Sequence, residues 1–73
     1  MSKKEFEKIV KAKVTLDGAK VVDMNTTKEE DGLFKDTYIS TVIAIRSHVV
    51  YRYSAWSDSN NEVTVKYSTC LGA

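Results

Sequence analysis

His48 and Cys70 are the only histidine and the only cysteine of the chain. A zinc site built from Cys and His needs three or four such ligands, and a Cys-His nucleophile needs a further residue to orient the imidazole. His48 closes the polar run Arg46-Ser47-His48, where a turn residue is expected, and Cys70 is expected to be a small apolar side chain near the C-terminus. Gly18, Gly32 and Gly72 are too scattered to form a phosphate-cradling loop. The carboxylates fall almost entirely in polar stretches and in the N-terminal segment. Only Asp23 lies inside a strand-like run, so no rigid acid–base pair is read. The expectation is a protein without catalytic residues, metal or cofactor.

The chemistry that remains is recognition. Tyr38, Tyr51 and Tyr53 with Arg52 have the composition of interface hot spots and are read as an exposed partner-binding patch. On that reading the chain is a small protein-binding module that acts by occlusion, of the kind phages and other mobile elements encode to block or redirect a host enzyme. Glu29-Glu30-Asp31, the densest acidic cluster, is a second candidate contact that would mimic phosphate to a basic partner. The alternative is single-stranded nucleic-acid binding, with Tyr51, Tyr53 and Tyr67 stacking on bases and Arg46, Arg52 and Lys66 holding phosphates. Eleven basic against ten acidic residues leave no basic excess, which places nucleic acid below protein as a partner.

These residues must be positioned by Thr37 to Trp56, a stretch of β-branched, aromatic and small side chains without Gly, Pro, Asp or Glu. As one straight strand it would run roughly 66 Å, too long for a chain whose compact radius of gyration is roughly 11 Å. A reversal is predicted at Ser47-His48, pairing Arg46 with Val49 and Ile45 with Val50. One face of the hairpin then carries Ile39, Ile43, Ile45, Val50 and Trp56, interrupted by Arg52. The other carries Tyr38, Val42, Ala44, Val49, Tyr51 and Tyr53. Both are apolar.

Around this hairpin, Ser2-Lys3-Lys4-Glu5 has capping-box spacing, and Phe6, Ile9 and Val10 form a stripe at helical period, which predicts a helix from Ser2 to Val10. Val10, Ala12, Val14 and Leu16 then alternate with Lys11, Lys13 and Thr15. With Asp17-Gly18 behind them they read as a strand and a type I′ turn, followed by a return strand from Ala19 to Met24. Asn25 to Gly32 reads as a loop, Ser57 to Asn61 as a turn, and Glu62 to Cys70 as a last strand. The sum is a strand-dominated α+β fold, a short N-terminal helix on an antiparallel meander of about five strands.

The 73 residues make one domain, close to the size at which a single core is barely sufficient, so a homodimer is expected. One cysteine excludes an internal disulfide. The N-terminal residues have charges but no apolar segment behind them, and no apolar run reaches about 18 residues without a charge. These features point to a cytoplasmic protein with no membrane partner, where the sequon Asn25-Thr26-Thr27 would be a chance match. Ile39-Ser40-Thr41-Val42 is similar to a short run in the bacterial Sm-like RNA-binding proteins. The likeness covers those residues alone, the spacing from Asp17-Gly18 is shorter than in that family, and strand continues beyond the point where that family ends, so the family is not assigned.

Overall fold

Ser2 and Glu5 close the capping box. The Glu5 amide donates to Ser2 Oγ at 3.1 Å and the Ser2 amide to Glu5 Oε1 at 3.4 Å, which satisfies two of the orphan donors at the start of helix α1, Lys3–Leu16. The computed structural model describes residues 1–29 and 37–72. Within them α1 is followed by β1 (Lys20–Glu29), β2 (Thr37–Arg46), β3 (Val49–Ser57) and β4 (Val63–Gly72). The strands form one antiparallel sheet in the order β1-β2-β3-β4.

The helix runs six residues further than its first apolar stripe predicts, and the strand expected over Val10 to Leu16 is helical. Asp17-Gly18 is accordingly not a hairpin turn but the end of α1. Gly18 N–H donates to Thr15 O at 2.9 Å and Ala19 N–H to Val14 O at 3.3 Å, the two bonds of a Schellman motif. Gly18 supplies the positive φ, +86°, that the motif demands of the residue after the cap. The alternation of Val10, Ala12, Val14 and Leu16 was ambiguous because Phe6, Val10 and Val14 also recur at i and i+4. Those three are fully buried, whereas Ala12 and Leu16 point to solvent. Lys, Glu and Ala between them are good helix formers, and the propagating helix wins over a strand that would have to nucleate by itself. The sheet therefore has four strands.

Asn25 to Glu29, expected in a loop, continue β1 and stay in register with β2 as far as Glu29 opposite Thr37. Their polarity fits an edge strand, because ladder bonds come from the backbone whatever the side chain. The central hairpin folds as predicted, with Arg46 opposite Val49 and Ile45 opposite Val50. Ser47 and His48 take φ of 51° and 65°, the two left-handed residues of a type I′ turn, without the Asn-Gly that such a turn favours.

The core lies between α1 and one sheet face. Phe6, Val10 and Val14 pack on Tyr38, Val42, Ala44, Tyr53, Ala55 and Val63, and the Phe6 and Tyr38 rings stack at 5.3 Å between centroids. Ser40, Ala44, Ala55 and Ser57 are small and buried, so the helix can approach this face closely. The two buried serines are hydrogen bonded: Ser57 Oγ accepts from the Tyr38 amide at 3.0 Å, and Ser40 Oγ lies 3.1 Å from Thr26 Oγ1, which in turn donates to Glu7 Oε2 at 2.7 Å. No buried side-chain polar atom among the described residues lacks a partner. No helix among them is long and apolar enough to cross a membrane.

Candidate functional site

Two surfaces stand out from the fold. The first is at the C-terminal end of α1, where the Schellman turn brings Asp17 over the sheet. Tyr53, projecting from β3, donates its hydroxyl to Asp17 Oδ2 at 2.7 Å, and Arg46 Nη1, from the end of β2, donates to the same oxygen at 3.1 Å and to the Asp17 carbonyl at 3.3 Å. The guanidinium also sits 4.6 Å from the centroid of Tyr51, a cation–π distance. Contact with the Tyr51 side chain, with the Asp17 charge adding to it, holds Arg46 still more firmly in its charged form. Tyr67, on the edge strand β4, meets Tyr51 and Tyr53 edge to face at 5.7 and 6.3 Å. Burial, then the bond to Asp17, pushes the Tyr53 phenol from 10.0 up to about 12.

The Tyr53 and Tyr67 rings border a cleft of about 450 Å³ lined by Lys13, Asp17, Tyr53, Val63, Thr64, Val65 and Tyr67. The register of β4 places Thr64 opposite Trp56 and Val65 opposite Ala55. Side chains alternate along a strand, so Val65 points to the helix-covered face and Thr64 away from it. β4 is the edge strand, so the cleft lies at the edge of the sheet.

The second surface is the outer face. Cross-strand rows there read Thr27–Ile39–Trp56–Thr64, Asn25–Thr41–Ser54–Lys66, Asp23–Ile43–Arg52–Thr69 and, at the hairpin end, Lys20–Ile45–Val50. Ile39, Ile45 and Trp56 are 44%, 39% and 37% exposed, and the helix is on the other side of the sheet.

The structure separates residues that sequence reasoning grouped. Tyr38 and Tyr53 are buried under α1 and Tyr51 is half-buried beside them, while Arg52 projects from the opposite face. The expected exposed patch of Tyr38, Tyr51, Arg52 and Tyr53 is thus not one surface, because the helix sits on the tyrosine face and leaves the Ile-Trp face open. Of the set read for nucleic acid, Tyr53 and Tyr67 line the cleft, Tyr51 and Arg46 contact its lining residues Tyr67 and Asp17 from outside it, and Arg52 and Lys66 lie on the outer face. Glu29 ends β1 and is exposed; Glu30 and Asp31 lie outside the described residues. Sequence reasoning missed Lys13 and Asp17, which it placed in a hairpin. The signal that could have found them is the Phe6, Val10, Val14 spacing, which carries the helix through to Gly18. Among the described residues no three His, Cys, Asp or Glu side chains group as metal ligands. Compared with protein-family models, with curated proteins and with solved structures, the chain matches none.

Proposed function

We propose that the chain is a non-catalytic protein-binding module whose docking surface is the outer face of the sheet. One observation supports this reading: a sheet with two apolar faces has a helix on one of them, leaving Ile39, Ile45 and Trp56 exposed on the other. Ile39 and Trp56 are cross-strand neighbours, and exposed apolar side chains that cluster on an uncovered face mark contact sites. Arg52 opposite Ile43 and Asp23, Lys20 and Lys66 on the flanking strands supply polar contacts of the kind that surround an interface core. The surface is carried by paired strands of one sheet, so little ordering entropy opposes binding. The mode of action is steric: a small rigid sheet covers a surface of an enzyme or complex and so inhibits or redirects it.

The test is affinity capture from nuclease-treated lysate of the source organism with the wild type, Trp56→Lys and Tyr67→Ala. A protein retained by the wild type and by Tyr67→Ala, but lost with Trp56→Lys, is the expected result. Retention of the same protein by Trp56→Lys would place the contact elsewhere and overturn the reading. Sedimentation of the purified chain identifies the remaining occupant, since a wild-type dimer that Trp56→Lys dissociates would make the partner a second copy.

A further inference from the structure

We propose that the cleft between the end of α1 and strand β4 is a binding site for a nucleotide, either free or at the exposed end of a single strand, independent of the outer face. The cleft's volume of about 450 Å³ lies within the range of roughly 300–1,000 Å³ typical of small-ligand sites. Its walls divide by chemistry. On one side are Tyr53 and Tyr67, with Tyr51 behind them. On the other side is the helix wall with Lys13 and Asp17.

Tyr67 is 55% exposed yet held by the two tyrosine rings that meet it edge to face. An aromatic ring that is both open and braced is a stacking platform that any base can use, since every base has a π-face. The charges select an anion. Arg46, which lies outside the cleft lining, engages the Asp17 carboxylate at 3.1 Å and so matches its charge, leaving Lys13 as the cation of the cleft that Asp17 does not offset. A cationic ligand would meet Lys13 and find Asp17 occupied, which excludes the quaternary-ammonium cage that three tyrosines would otherwise suggest. β4 is an edge strand, and an edge strand presents a row of outward N–H and C=O groups, the kind needed to hydrogen bond the edge of a stacked base. The residues at the cleft are separated by as many as 54 positions in the chain, from Lys13 to Tyr67.

Amide chemical-shift titration of the whole chain tests the proposal, with uridine monophosphate, oligothymidylate and inorganic phosphate as separate probes. Saturable shifts confined to Lys13, Asp17, Arg46 and residues 63–67 are expected with the mononucleotide, the oligonucleotide or both, and the two arms tell a free nucleotide from a strand. Tyr67→Ala should weaken binding about 5- to 150-fold, the effect of removing one stacking ring, and Tyr67→Phe should bind like the wild type. Lys13→Ala should lower the salt dependence of affinity, because one fewer counterion is displaced. Trp56→Lys, on the other face, should change neither. Phosphate alone producing the same shifts as the nucleotide would reduce the site to an anion site and overturn the proposal, as would no binding by either nucleotide probe. Tyr67 is an exposed edge residue, and an unchanged spectrum of the unliganded variant establishes that loss of affinity is not loss of fold.

Discussion

The Tyr53 hydroxyl donates to the Asp17 carboxylate at 2.7 Å across 36 positions of sequence. It ties the second strand of the central hairpin to the cap of the helix that covers it, and Arg46 adds a second bond to the same oxygen at 3.1 Å. A hydrogen bond to a charged partner contributes about 1.5–3 kcal/mol in favourable settings. Asp17 is half exposed, so the lower end of that range applies. Tyr53→Phe should lower stability by about 1.5 kcal/mol in urea denaturation, and a variant as stable as the wild type would show that the bond is not formed in solution.

The same residue gives a pH dependence. The folded Tyr53 phenol titrates at about 12 against 10.0 in its ordinary state, so above pH 10 the unfolded chain releases this proton first. The contribution is fully present below pH 10 and is lost as pH rises from 10 towards 12. Denaturation midpoints measured across that window should fall more steeply for the wild type than for Tyr53→Phe.

Helix α1 reaches Leu16, whose side chain is 87% exposed, whereas Phe6 is fully buried on Tyr38. Leu16→Ala should change stability by no more than about 0.5 kcal/mol. Phe6→Ala should cost about 3–5 kcal/mol, enough to unfold a domain of about 5 kcal/mol. A large loss at Leu16 would instead restore the hairpin in which that residue faces the core.

The Ser57 hydroxyl accepts the buried Tyr38 amide at 3.0 Å, closing the end of the β2–β3 ladder. Ser57→Ala leaves that donor without an acceptor and should cost about 1–3 kcal/mol. Hydrogen exchange at Tyr38 should accelerate well beyond that at Val42 in the same strand.

Ser47 and His48 hold left-handed φ of 51° and 65°, each costing a non-glycine residue roughly 1–2 kcal/mol in an unfavourable case. Replacing the pair with Asn-Gly should raise the thermal midpoint by several degrees, equivalent to about 1 kcal/mol, without altering the spectrum of the folded chain. A lowered midpoint would mean that the native side chains contribute a contact beyond the turn.

Much of this architecture was legible from local chemistry. The capping box, the central hairpin with its Arg46–Val49 register, and the last strand all follow from residue type and spacing, because caps, turns and ladders are decided by neighbours in sequence. Asp17-Gly18 was legible as a break but not as which break, since glycine with positive φ ends a helix as readily as it turns a hairpin. Phe6, Val10 and Val14 had to be seen against the sheet before the period of four prevailed over the period of two. The division of the hairpin into a tyrosine face and an Ile-Trp face was also written in the alternation. Which face the helix would cover was not, because both are apolar and hydrophobicity does not choose between them. Packing chose: Ser40, Ala44, Ala55 and Ser57 leave room for a helix beneath which Tyr38 and Tyr53 can lie flat or reach its ends, while Ile39, Ile43, Ile45 and Trp56 fill the outer face. The convergence of Lys13, Asp17, Tyr53 and Tyr67 on one cleft, with Arg46 paired to Asp17, belongs wholly to the tertiary structure, since it needs the helix to end over the sheet and β4 to return to the edge beside it.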